Sequence, residues 1–365
     1  MLKFKNKLYR YRHIMESLSQ QNQPLFLFGM GRSGTTLLRL MLTAHPHFCI
    51  PPESLFFVNL EPKYGSSQDL SNQIDNFLTD IYADPRFREW NIDRQQLREN
   101  LTAQKPLNYS TAVATVYQTY LQQFDGQAGC WGDKNPCNIY NIKTILKYFP
   151  NARLILIIRD LRAIYASLKR NEQKFAKTWK GSCIANVVAT TKQWQNLFQV
   201  IKDYQNDQRF QILFYEDLVT NPEEELQGIC DWLGVSFSQS MLEFNQKNAQ
   251  KNLVPTRELG WHAKTFQPVS SDRIEAWKHE LSDSELAVLE ILNYKTMLHL
   301  GYDCIPKTWQ FHTLLKFYAD YSQYIYWRLS KANLQGVIGK IREALASLKT
   351  FQLSMSRNLS QNSIQ

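Results

Sequence analysis

No stretch of this 365-residue sequence approaches the roughly 18 to 20 consecutive apolar residues of a membrane span. The basic opening MLKFKNKLYRYRH is followed by no apolar run of signal-peptide length. The six cysteines, Cys49, Cys130, Cys137, Cys183, Cys230 and Cys304, form no CxxC pair and no zinc-like cluster, and the seven histidines are scattered. Cysteines spread in this way suit a reducing compartment better than a disulfide framework. The expectation is therefore a soluble cytoplasmic protein that uses no metal. There is no internal repeat. Acid is also in short supply: 33 Asp and Glu face 42 Lys and Arg, leaving a formal charge of +9. That balance suits an anionic partner, whether nucleotide, glycan, nucleic acid or lipid headgroup. Nucleic acid is the weakest of these, because the basic residues are not organised with stacking aromatics.

Apolar residues make up 44% of the chain, enough for a sizeable core. PLFLF (24–28) is a short apolar run ended by glycine, as in a buried strand. RLILIIRD (153–160) is apolar without alternation, as in a strand covered on both faces, and FQILFYEDL (210–218) reads as a third strand. LLRLMLTAH, LRAIYASLKR and PEEELQGICDWLG follow these strands with helical spacing; the last opens on Pro222 and closes on Gly234. Alternating strands and helices predict an α/β fold, a P-loop-type parallel sheet flanked by helices. The expected organisation is a basic N-terminal segment (1–23), one main domain (24–305) with a helical insertion or cap (59–130), and a basic amphipathic helical tail (306–365).

Gly29-Met-Gly-Arg-Ser-Gly-Thr-Thr36 joins a strand to a helix with the glycine spacing of a phosphate loop. Its glycines let backbone N–H groups approach a phosphate, and the helix behind adds a positive dipole end. Where nucleotide triphosphatases carry lysine this chain has Thr35, and the cation has moved to Arg32. That arrangement is poorly built for a γ-phosphate with magnesium and well built for a single 5′-phosphate. A second anion site is suggested by Arg159, at a strand end, and Ser167 in the following helix, which face one crevice at the carboxyl edge of a parallel sheet. The structural alternative pairs Arg159 with Asp160 or Glu216.

In CIPPESLFF, two prolines make a rigid lead-in to Glu53. Apolar Leu55, Phe56 and Phe57 beside it are expected to raise its proton affinity by desolvation. A glutamate capping a surface turn is the alternative. On its own, WGDKNP (131–136), which contains Lys134, reads as a polar turn. His45 and His47 are further candidate bases.

FLFGMGRSGTTLLRLMLTAHP resembles the 5′-phosphosulfate loop of the sulfotransferases that use 3′-phosphoadenosine 5′-phosphosulfate (PAPS), and RDLRAIYAS resembles their 3′-phosphate motif. The match is closest to tyrosylprotein sulfotransferases and related bacterial enzymes. The resemblance implies PAPS as co-substrate, with its 5′-phosphosulfate on Arg32, Ser33, Gly34, Thr35 and Thr36 and its 3′-phosphate on Arg159 and Ser167. It implies Glu53 as catalytic base, Lys134 and Arg32 as catalytic stabilisers, and Tyr215 near the nucleotide. Residues 261–278 resemble the loop that closes over the nucleotide. The family's cation before Trp277 is Ala276 here and its serine falls on Trp261, so Lys264, Arg273 and Lys278 are the replacements. Another family arginine falls on Asn171, next to Arg170. The expected reaction is in-line sulfuryl transfer to a hydroxyl of a peptide tyrosine, sugar or small alcohol. The alternatives are a P-loop small-molecule kinase, which Thr35 opposes, and an inactive nucleotide-binding module. In the tail, Leu334, Val337, Ile338, Ile341, Leu345 and Leu348 share one helical face, suited to docking on the parent domain, on a partner subunit as in a homodimer, or on an anionic membrane.

Overall fold

The computed structural model describes residues 23–124, 129–175, 185–305 and 307–330. Five parallel strands form one sheet: β1 (Leu25–Gly29), β2 (Phe48–Cys49), β3 (Cys130–Lys134), β4 (Arg153–Ile158) and β5 (Phe210–Phe214). Their spatial order is β2-β3-β1-β4-β5. After β1 the chain lays β2 at one edge, fills in β3 between it and β1, and then crosses to build β4 and β5 on the other side. That reversal leaves a crevice beyond the carboxyl end of β1, where ligands bind in such sheets.

The continuous apolar runs of β1, β4 and β5 have the reason expected of them: both faces of the sheet are covered. Phe26, Phe28, Leu154, Leu156, Ile158, Ile212 and Phe214 face one core with helices drawn from 56–121, 161–174, 187–204 and 283–299. Leu25, Leu27, Ile155, Ile157 and Leu213 face the other, beneath α1 (Thr35–Ala44) and the helix Pro222–Leu233. That helix ends on Gly234 in the left-handed conformation, as its glycine predicts.

Two expected boundaries change. WGDKNP is no turn: Cys130–Lys134 is the buried strand β3, paired in parallel with β1 so that Leu25 lies opposite Gly132 and Leu27 opposite Lys134. A polar sequence is tolerated there because Asp133 accepts hydrogen bonds from Tyr117, from Asn135 at 2.8 Å and from Asn138 at 2.6 Å. Gly132 lets the neighbouring strand approach, since a Cβ there would lie 2.7 Å from Leu25 O. The third strand stops at Phe214, and Tyr215–Thr220 is a helix.

The described residues from 59 to 124 are mainly helical, with Ile74–Ala83, Arg94–Thr102 and Tyr109–Leu121 as the main elements. They share the sheet's own core: Tyr117 stacks on Trp131 of β3 with ring centroids 4.3 Å apart. The helix Phe311–Ser330 closes the described part, with Asn186 donating to Asp320 O at 2.8 Å. The basic segment 1–22, Cys183 and the apolar stripe from Leu334 to Leu348 lie outside the described residues. Among the described residues no helix is long and apolar enough to cross a membrane.

Candidate active site

The carboxyl ends of β1, β3, β4 and β5 deliver the phosphate loop, Lys134, Arg159 and Tyr215 to one edge of the sheet. Between β1 and α1 the loop turns on two left-handed residues, Arg32 (φ 72) and Gly34 (φ 105). A non-glycine residue in that region costs of order 1 kcal/mol and tends to be kept where a site needs it. Ser33 N donates to Met30 O at 3.0 Å, while the buried Ser33 Oγ has no hydrogen-bond partner. Among the described residues no side chain caps the start of α1, which leaves its first N–H groups open to an anion. Gly34 is required twice over: its φ suits glycine, and a Cβ would meet the Tyr215 ring at 2.5 Å. Gly34→Ala is expected to lower stability by about 1–3 kcal/mol in denaturant titration.

A cavity of about 360 Å³ opens over this loop. Arg32, Arg159, Arg170, Lys174, Lys264 and Arg273 line it, with Asp272 as the lone carboxylate of the lining. Arg32 Nε donates to Ser167 Oγ at 3.1 Å, and Arg32 Nη2 to Trp261 O at 3.1 Å. Ser167 lies in α2 (Leu161–Lys174), which follows β4. Arg159 Nη1 donates to Arg32 O and Nη2 to Arg273 O, each at 3.0 Å, and its guanidinium lies 4.0 Å over the Tyr215 ring. Burial, then the nearby Arg159 and Arg170, bring the Arg32 guanidinium down to about 10. That is still protonated at neutral pH.

The structural alternative for Arg159 does not occur. Asp160 takes Arg162 Nη2 at 2.7 Å, and Glu216 accepts from Asp160 N at 2.9 Å and from Tyr302 OH at 3.1 Å. Among the described residues neither Arg32 nor Arg159 pairs with a carboxylate, and the buried Arg159 Nε has no hydrogen-bond partner. Two adjacent guanidiniums without a paired carboxylate, Arg159 buried and Arg32 partly so, form a site suited to anions. Lys264 and Arg273 reach the rim but are engaged, Lys264 with Asp272 and Arg273 with Glu280 at 3.2 Å. Arg170 also pairs with Glu280, while the buried Asn171 Nδ2 beside it has no partner. Lys278 pairs with Glu275 at 2.6 Å and does not line the cavity. Trp277, after Ala276, stacks under Arg162 at 3.9 Å instead of reaching the cavity.

Next to the loop lies the Glu53–Lys134 pair. Lys134 Nζ donates to Glu53 Oε1 and, at 3.2 Å, to Thr36 Oγ1. Lys134 is 1% exposed and Glu53 19%, and Arg86 Nη1 stands 3.7 Å from Glu53 Oε2. The expected rise in the proton affinity of Glu53 does not occur. Burial pushes it up, as predicted, but Lys134, Arg86 and Arg257 together hold the carboxyl below the usual range. The backbone around Glu53 is clamped. Trp90 Nε1 donates to Pro52 O at 3.1 Å, Asn135 Nδ2 to Ser54 O at 2.9 Å, and Arg39 Nη1 to Ile50 O at 3.1 Å. Arg39 Nη2 also holds Leu253 O at 2.7 Å, tying this segment to the chain that leads into residues 261–278.

His45 and His47 stand apart from the cavity. His45 Nε2 lies 2.8 Å from Ser236 O, and His45 Nδ1 accepts from His47 N at 3.0 Å. His262 was not a candidate from its sequence, yet it lines the cavity with Nε2 3.4 Å from Thr36 Oγ1. Its one sequence signal was its place in the 261–278 loop.

The fold and this edge define a P-loop-type parallel α/β protein with a cationic cavity at the switch point of its sheet. Residues 24–239 match the Sulfotransferase family model, and the chain belongs to that family. It is 22% identical over 292 residues to the protein-tyrosine sulfotransferase of Drosophila melanogaster, covering 79% of this chain and 53% of the fly protein, about half its length. It is 25% identical over 231 residues to a putative protein-tyrosine sulfotransferase of Caenorhabditis briggsae, covering 63% of this chain and 71% of that one. Among solved structures it is similar in fold to the sulfotransferase domain from the curacin biosynthetic pathway, with a TM-score of 0.50, 19% identity, 79% of this chain covered and 100% of that one.

Proposed function

We propose that this protein transfers the sulfuryl group of PAPS to a hydroxyl acceptor, with Glu53 as base and Arg32 and Lys134 as charge stabilisers. The observation that carries the reading is the meeting of three residues distant in sequence: Arg32 Nε reaches Ser167 Oγ, and Arg159 Nη1 holds Arg32 O. Two anion-binding motifs thereby serve one cavity, the loop for a 5′-phosphosulfate and Arg159 with Ser167 for a 3′-phosphate. Unpartnered buried polar atoms at Ser33 and Arg159 fit anionic oxygens.

In this reading the acceptor oxygen attacks sulfur as its proton passes to Glu53. The bond from sulfur to the bridging oxygen breaks, and adenosine 3′,5′-bisphosphate departs. Arg32 and the start of α1 meet the charge that develops on the departing phosphate, and Lys134, already on Thr36, adds to that field. The relatives' names point to a tyrosine hydroxyl as acceptor.

The test is thermal unfolding with ligands. Adenosine 3′,5′-bisphosphate with EDTA should stabilise the protein, by about 2.7 kcal/mol at one hundred times its Kd. Stabilisation only by ATP with magnesium would instead establish the kinase alternative. Bisphosphate binding with no transfer from labelled PAPS to any of a panel of phenols, peptides, sugars and alcohols would leave a binding module.

A further inference from the structure

His262, in the 261–278 loop, stands beside the phosphate loop and the Glu53–Lys134 pair. Its Nε2 lies 3.4 Å from Thr36 Oγ1 and 3.8 Å from Glu258 Oε2. Thr36 Oγ1 also accepts a hydrogen bond from Lys134 Nζ at 3.2 Å. A hydroxyl has one hydrogen and two lone pairs. With Lys134 on one lone pair and a neutral imidazole presenting its Nε2 lone pair, the Thr36 hydrogen is drawn to His262. With Nε2 protonated, both lone pairs of Thr36 are occupied by donors. Its hydrogen is then free to point into the cavity, which Thr36 lines.

We propose that His262 takes up a proton as the anionic donor binds and thereby turns the Thr36 hydroxyl toward the group being transferred. His262 is in this sense a positioning residue, and the idea rests on the PAPS reading above. The charges that face it are Arg32 from the loop, Arg39 from α1, Lys134 from β3 and Glu258 from the turn just before it. Burial first, then Arg32, Lys134 and Arg39, hold the ring neutral, its proton affinity well below that of a free imidazole. A nucleotide carrying a phosphosulfate and a 3′-phosphate brings several negative charges against those same cations, which reverses the local field. The sign follows by linkage: a group neutral before binding and protonated after it makes affinity fall as pH rises.

The test is calorimetry of adenosine 3′,5′-bisphosphate binding in two buffers of different ionisation enthalpy, on wild type and on H262Q. Titration of the nucleotide's own phosphates is common to both proteins and cancels in the difference. Wild type should take up more protons than H262Q at mildly acidic pH, by up to about one proton per site. Its affinity should also fall more steeply with pH than that of H262Q, by up to about tenfold per pH unit. Equal proton uptake and parallel pH curves would overturn the proposal. Absence of bisphosphate binding to wild type would overturn the PAPS reading itself, and this inference with it. Should H262Q melt far below wild type, H262N serves in its place with the same two outcomes.

Discussion

Replacing Glu53 by glutamine is expected to leave adenosine 3′,5′-bisphosphate binding within a few-fold of wild type and to reduce sulfuryl transfer by about 10²–10⁴-fold. The substitution keeps the shape of the side chain and an oxygen that can still accept from Lys134, so the clamped segment from Ile50 to Ser54 need not move. What is removed is the capacity to take a proton, together with the negative charge that faces Lys134 and Arg86. Labelled PAPS with a panel of hydroxyl acceptors measures the transfer, and full turnover in E53Q would move the base elsewhere. The pH profile adds an independent check. Burial favours the protonated acid, but Lys134, Arg86 and Arg257 outweigh it, so the carboxylate form persists below the usual carboxylate range. Turnover should therefore stay level through mildly acidic pH and fall only as pH drops through that depressed value. A loss of rate already near neutrality, tied to Glu53, would contradict the geometry.

Much of this site was legible because local chemistry dictated it. The glycines and the strand-to-helix change around Arg32 have the pattern of a phosphate loop, and three continuous apolar runs suit strands covered on both faces. What stayed hidden depends on partners distant in sequence. β3 reads as polar because the residues that satisfy Asp133 include Tyr117, in another helix. The sign of the shift at Glu53 was misread because its apolar neighbours are adjacent in sequence, whereas Lys134 and Arg257 are not. His262 carried only its place in the 261–278 loop as a signal, since its contact with Thr36 spans 226 positions. Burial can be read from neighbours along the chain, but the charges that override it arrive through the fold.

Arg159→Ala separates the two anion sites. Adenosine 3′,5′-bisphosphate should bind about 10–100-fold more weakly, the loss of one charge-assisted contact to phosphate. Adenosine 5′-phosphosulfate, which lacks the 3′-phosphate, should lose only a few-fold. That smaller loss is expected because Arg159 Nη1 also supports Arg32 O at the left-handed turn of the loop, so removing it slackens the 5′ site slightly. The ratio of the two losses, measured by calorimetry at fixed salt, is the informative quantity. A large ratio means that the guanidinium reads the 3′-phosphate itself, the group that distinguishes PAPS from ATP. Equal losses mean that Arg159 acts through the loop alone. The pairing of Arg159 with backbone carbonyls and an aromatic face, and with no carboxylate among the described residues, argues for the first outcome. A guanidinium kept only to brace a loop could share its charge with a nearby acid at no loss of shape, and both acids close to it, Asp160 and Glu216, are engaged elsewhere.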